Sequence, residues 1–174
     1  MRPDDLITRI IAVAAGILMI SGCAVTPIVD PASIVQVNQT LEIPDRKARV
    51  YIQNGAVTAK REVDPWEVYC SVLMQNLHAR GEPKLTVSPG QFEIIRERKY
   101  EDPFAYPGTF VASRDMLFYP PVINSRIEMR LNSTEQPGVR ALICNKQVEE
   151  HIRQFPTLTE IRKTLGNLIE IKTP

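Results

Sequence analysis

From residue 41 to residue 144, apolar and polar side chains alternate in segment after segment, and the segments are separated by turn residues. Leu41-Glu42-Ile43 stops at Pro44-Asp45, and Ala48, Val50 and Ile52 then alternate with Arg49, Tyr51 and Gln53 as far as Asn54-Gly55. Trp66, Val68, Cys70, Val72 and Met74 put one side of the next segment inward. Leu85-Thr86-Val87 leads through Pro89-Gly90 into Phe92-Glu93-Ile94-Ile95. Ile127, Met129 and Leu131 alternate with Arg126, Glu128 and Arg130, and Pro137-Gly138 turns the chain into Val139–Cys144. A period of two sends successive side chains to opposite faces, so each segment reads as a strand with one buried face. Asn-Gly suits a two-residue hairpin because both residues tolerate positive φ. Fourteen prolines against eight glycines stiffen the chain and leave little room for long helices.

The period changes only near the end. Thr157-Leu158-Thr159-Glu160 has the capping-box pattern, Leu158, Ile161 and Leu165 recur at helical spacing, and Gly166 follows as a stop. Leu168–Ile171 then adds a short final strand. The expected fold is therefore mainly β, a small antiparallel β-sandwich or barrel with one short C-terminal helix.

The N-terminal region follows different rules. Arg2 and Arg9 flank Asp4 and Asp5, and Ile10 to Ile20 then runs without a charge. As a helix this run is about 16 Å long, short of the ~30 Å needed to cross a bilayer. A core helix of that length would show a polar face, and none is present. The run ends in Ile20-Ser21-Gly22-Cys23. This resembles the signal of bacterial lipoproteins, in which an aliphatic residue and two small residues precede an invariant cysteine. The folded part likewise resembles small proteobacterial lipoproteins.

That resemblance implies a diacylglyceryl group on Cys23, cleavage after Gly22 and acylation of the new amino group. Ala24, rather than Asp, follows the cysteine, which implies sorting to the outer membrane with the domain facing the periplasm. Two or three acyl chains on one residue would meet the two-signal requirement for stable anchoring. The expected organisation is a signal peptide over 1–22, a lipid-anchored tether over 23–39 and a single β-rich domain over 40–174. Within the tether Val35 and Val37 alternate, which suits docking as an edge strand. An exported domain meets an oxidising compartment, and Cys70 and Cys144 remain once Cys23 is removed. They are expected to form a disulfide, since neither has a Cys or His neighbour at metal-ligand spacing.

A net charge of +1 argues against electrostatic capture of nucleic acid, so none is expected as a partner. The two histidines, His78 and His151, lie beside a turn and in a polar stretch, and no nucleophile elbow, phosphate loop or dinucleotide fingerprint occurs. Glu149, Glu150 and His151 are adjacent and so diverge rather than converge on one ion. No catalytic residue, metal or cofactor is expected. Arg46-Lys47, Lys60-Arg61 and Arg96-Glu97-Arg98-Lys99 concentrate charge, the last reading as an edge strand protected by its charges.

Residues 100–121 stand apart. Tyr100, Phe104, Tyr106, Phe110, Phe118 and Tyr119 lie there with Pro103, Pro107, Pro120 and Pro121. Proline disfavours regular pairing, so a long loop or broken hairpin is expected. Rigid aromatics beside proline suit recognition of a partner surface, such as an envelope protein partner, or of a glycan, or else they cover an open end of the sheet. The reading that results is a non-enzymatic envelope lipoprotein serving as an interaction or assembly component. The alternatives are a periplasmic ligand-binding protein or enzyme whose pocket the 100–121 loop walls, and a subunit of a larger surface apparatus that docks through this loop.

Overall fold

The computed structural model describes residues 26–30, 32–44, 48–75, 85–103 and 122–174. It is mainly β, as the alternation predicts. Eight strands form one curled antiparallel sheet, a half-barrel: β1 (Ile34–Val37), β3 (Arg49–Gln53), β4 (Ala56–Thr58), β5 (Tyr69–Met74), β7 (Gly90–Pro103), β8 (Val122–Asn132), β9 (Val139–Glu149) and β10 (Ile169–Lys172). Their order is β10-β1-β7-β8-β9-β5-β3-β4. Two shorter strands, β2 (Leu41–Glu42) and β6 (Thr86–Val87), pair separately where β1 finishes and β7 starts. Leu41, Ile43 and Val87 from that ladder belong to the same buried core as the main sheet.

Among the described residues the sheet does not close on itself through its edge strands. The gap is bridged by the helix α1 (Leu158–Leu165), which packs on β10 at one edge and on β3 and β5 near the other. Ile161 and Leu165 of α1 are fully buried against the inner sheet face, where Val50, Ile52, Val72, Phe92, Ile127, Met129 and Leu142 also lie. A curled sheet can thus bury one face without a second sheet, because one amphipathic helix fills its concavity.

Asn54-Gly55 forms the two-residue turn between β3 and β4 with φ of 53° and 75°, as the dipeptide predicts. The capping box also forms. Thr157 Oγ1 accepts from the Glu160 N–H at 3.2 Å, and Glu160 Oε2 accepts from the Thr157 N–H at 2.8 Å. Burial pulls the Glu160 carboxyl upward, but the hydrogen bonds from Thr157 and the Lys146 ammonium at 2.9 Å outweigh it and hold it below the usual range. A carboxyl lowered in the folded state stabilises above its unfolded pKa, near ~4.3, and loses that effect as pH falls through the folded value. Urea denaturation should therefore show Glu160→Gln less stable than the parent at pH 7, with the gap shrinking below about pH 4. Thr157→Ala should cost about 1 kcal/mol. A gap for Glu160→Gln that widens on acidification would contradict the assignment.

Three sequence expectations are corrected. Val35 and Val37 are each 1% exposed, and their strand is interior, paired with β10 on one side and β7 on the other. The described part of the expected 23–39 tether is thus built into the fold, because these valines fill the row between two neighbouring strands. Trp66 is half exposed in a turn before β5 rather than inward on a strand. There its backbone N–H donates to Asp64 Oδ1, while the Gln53 side chain bonds the Asp64 backbone in both directions and holds this connection to β3. The run Arg96–Lys99 lies on a strand whose second half pairs only with β8 among the described residues, but its charges divide between two faces.

Candidate functional site

The face assignment of β7 turns on one residue. Phe92 and Ile94 point into the core, and strict alternation would send Arg96 and Arg98 after them. A register shift between Ile94 and Arg96 leaves Ile95 as an extra residue, exposed on the surface. A bulge of this kind reverses the faces that follow. Glu97, Lys99 and Glu101 therefore lie on the inner face with Met129, Ile127 and Ser125 as their β8 partners, while Arg96, Arg98 and Tyr100 lie outside.

The inward charges hold the N-terminal segment. The Glu97 carboxylate accepts from the Ile28 N–H and the Val29 N–H, each at 3.0 Å, and Lys99 Nζ donates to the Thr26 carbonyl at 2.7 Å. The Glu97 side chain is 9% exposed and its Lys99 neighbour stands 4.0 Å away, so a carboxylate with little water takes its partners from backbone amides and an ammonium. Lys99 also lies over the Phe155 ring, 5.9 Å from its centroid. Residues 26–29 thus follow β7 beyond β1 without adding ladder bonds of their own.

Above this clasp is a rim, formed where β7 and β9 end and β8 begins. Glu101, Ser125 and Lys146 stand side by side on three neighbouring strands. Lys146 Nζ is held by Glu160 Oε1 at 2.9 Å, and the buried Ser125 Oγ has no hydrogen-bond partner among the described residues. Lys146 therefore directs its ammonium at the Glu160 carboxylate, away from the Ser125 hydroxyl. The turn after β9 completes the rim. Arg153 approaches Glu150 at 3.4 Å and Glu101 at 3.9 Å, His151 Nδ1 approaches Glu149 Oε2 at 3.4 Å, and Ile152 is 52% exposed.

Tyr100 is the one aromatic of the 100–121 set among the described residues. It sits on the outer face with the Arg126 guanidinium 4.4 Å from its ring centroid and Arg98 Nη1 donating to its hydroxyl at 3.3 Å. Arg126 in turn approaches Asp102 at 3.4 Å. One face of this ring is thus occupied from within the chain. Phe104, Tyr106, Phe110, Phe118 and Tyr119 lie outside the described residues, as do Cys23, His78 and Arg46-Lys47. β7 and β8 pair as far as Pro103 and Ile123, so the described residues on either side of that sequence both stand at the rim.

Cys70 on β5 and Cys144 on β9 are direct cross-strand partners with Cα atoms 4.0 Å apart and sulfurs at disulfide distance, both fully buried. A depression of about 740 Å³ lies at the opposite end from the rim, between Gln36 on β1, Glu93 on β7 and Thr134 after β8. Among the described residues no three His, Cys, Asp or Glu side chains converge as metal ligands, and no helix is long and apolar enough to cross a membrane.

The clasp escapes a reading by alternation because only the bulge sends Glu97 and Lys99 inward. The one hint in sequence is that Ile94-Ile95 supplies two apolar residues where the period asks for one. No family model, curated protein or solved structure matches this chain.

Proposed function

We propose that the chain is a lipid-anchored component of a bacterial cell envelope, attached through Cys23 and acting by contact with a partner rather than by catalysis. The observation that carries this reading is the Ile20-Ser21-Gly22-Cys23 sequence, which closes an apolar run too short to span a bilayer. The two remaining cysteines support it, since they lie opposed on neighbouring strands in a pairing that an oxidising periplasm would make permanent. Ala24 favours the outer membrane as the destination. The aromatic and proline-rich sequence from Phe104 to Pro121 is the segment assigned to an envelope protein partner.

Intact mass spectrometry of protein extracted from membranes tests this directly. The expected mass is that of residues 23–174 plus acyl groups, gaining two alkyl labels only after reduction. A full-length mass without acyl groups, or two thiols that react before reduction, would overturn the reading. Deleting residues 106–119 should abolish co-purification of envelope partners while leaving the acyl mass unchanged. Unchanged partners would exclude the loop as the docking element.

A further inference from the structure

The point at which the fold takes hold of its N-terminal segment fixes how far the domain can stand from an anchor at Cys23. Thr26 is already fastened, through Lys99 Nζ at 2.7 Å, and Ile28 and Val29 are fastened through Glu97. Three peptide steps separate Cys23 from Thr26, a reach of roughly 10 Å at full extension. A flexible tether over 23–39 would have let the domain tumble freely, and the clasp removes that freedom. Thr26 is held by Lys99, which lies one inward position below Glu101. The segment therefore leaves the fold at the rim.

We infer that the domain is seated on the membrane surface in one orientation, with the rim of Glu101, Gln147–Glu149 and the turn Glu150–Arg153 toward the lipid headgroups. This rests on the lipoprotein reading above and adds the geometry of attachment to it. The occupant of this surface is a bilayer, chosen by where the chain leaves the fold and how little of it remains. The chemistry of the rim suits the headgroup layer. Arg153 stands between Glu150 and Glu101, His151 approaches Glu149, and Ile152 presents an apolar side chain beside them. Zwitterionic headgroups carry no net charge, so they meet this carboxylate-bearing rim without net repulsion. The turn from β8 to β9, with the exposed Thr134, is at the far end of strands about 35 Å long and faces away from the membrane.

The test uses the full acylated protein reconstituted in phosphatidylcholine vesicles that carry a headgroup spin label. A fluorophore is placed on Ile152→Cys in one preparation and on Thr134→Cys in another, and quenching is compared. Quenching at position 152 is expected to exceed that at position 134 by at least fivefold. Inserting twelve Gly/Ser residues between Ala24 and Val25 should bring the two close to equal while vesicle association is retained. Glu97→Ala, checked for an unchanged far-UV spectrum, should narrow the difference in the same direction by releasing Ile28 and Val29. Equal quenching in the uninserted acylated protein, or stronger quenching at 134, would overturn the seating and leave the lipid anchor standing. Absence of acyl mass on the same preparation would overturn the anchor and the seating together.

Discussion

Replacing Cys70 and Cys144 together by alanine is expected to lower the thermal midpoint by roughly 10 °C, the equivalent of about 4 kcal/mol for a domain of this size. The two residues are 74 apart in sequence, so their bond removes a long loop from the freedom of the unfolded chain. In the folded state the pair joins β5 to β9, strands that the backbone ladder already holds together. Cys70 also stands opposite Ile52 of β3, and Cys144 opposite Ile127 of β8, in a closed apolar row. The variant should thus keep its fold and lose stability, since the removed atoms leave small gaps and the constraint acts mainly on the unfolded chain. Set against a typical 5–15 kcal/mol, a loss of that size makes the domain dependent on an oxidising compartment. Thermal unfolding of parent and variant, each with and without a phosphine reductant, is the check. Identical midpoints for all four samples would exclude a stabilising disulfide, and a parent midpoint that falls to the variant's only under reductant would establish one.

The β class, the Asn54-Gly55 hairpin, the capping box and the final strand were legible in the sequence because each depends on residues close together along the chain. The closure of the sheet was not. A half-barrel differs from a sandwich or barrel in what meets its two edges, and the bridging element is α1, whose sequence shows that it is amphipathic but not which strands it touches. Val35 and Val37 show the same limit: their alternation identifies a strand, while its interior place depends on β7 and β10, both distant in sequence. Trp66 was misplaced for a different reason. Its position continues the parity of Val68, Cys70 and Val72, but Pro65 and Asp64 turn the chain before the ladder begins. The clasp was hidden by the bulge at Ile95, since one extra residue exchanges the inward and outward sets for the rest of β7. The candidate site is thus the part least readable by periodicity, because it exists where the period slips.

Gly166→Ala should destabilise the domain by about 3 kcal/mol, more than any other glycine-to-alanine change among the described residues. Gly166 ends α1 with φ 56° and ψ −136°, a conformation that residues with a Cβ adopt only under strain. A Cβ there would stand 2.7 Å from Gly55 Cα, and since the obstacle is backbone, no rotamer change relieves the contact. Gly55 is the second residue of the β3–β4 turn, and its N–H donates to the Thr164 carbonyl at 2.8 Å. The hairpin and the end of the helix therefore meet glycine to glycine, where the sheet margin reaches the element that bridges its gap. Pushing them apart lengthens the Gly55–Thr164 hydrogen bond and loosens Thr164 Oγ1, which donates to the Val68 carbonyl at 3.2 Å. Gly55→Ala should cost less, about 1 kcal/mol, because its φ of 75° is strained but its Cβ would clear Gly166 Cα at 3.6 Å. Gly138→Ala should be close to neutral, since its φ is not positive and its Cβ would meet only the Met74 methyl at 3.5 Å. Urea midpoints in the order parent and Gly138→Ala, then Gly55→Ala, then Gly166→Ala would identify this contact as the closure of the half-barrel. If Gly166→Ala unfolded together with Gly138→Ala, the helix end would have room that the glycine pair denies it, and closure would have to rest on Ile161 and Leu165 alone.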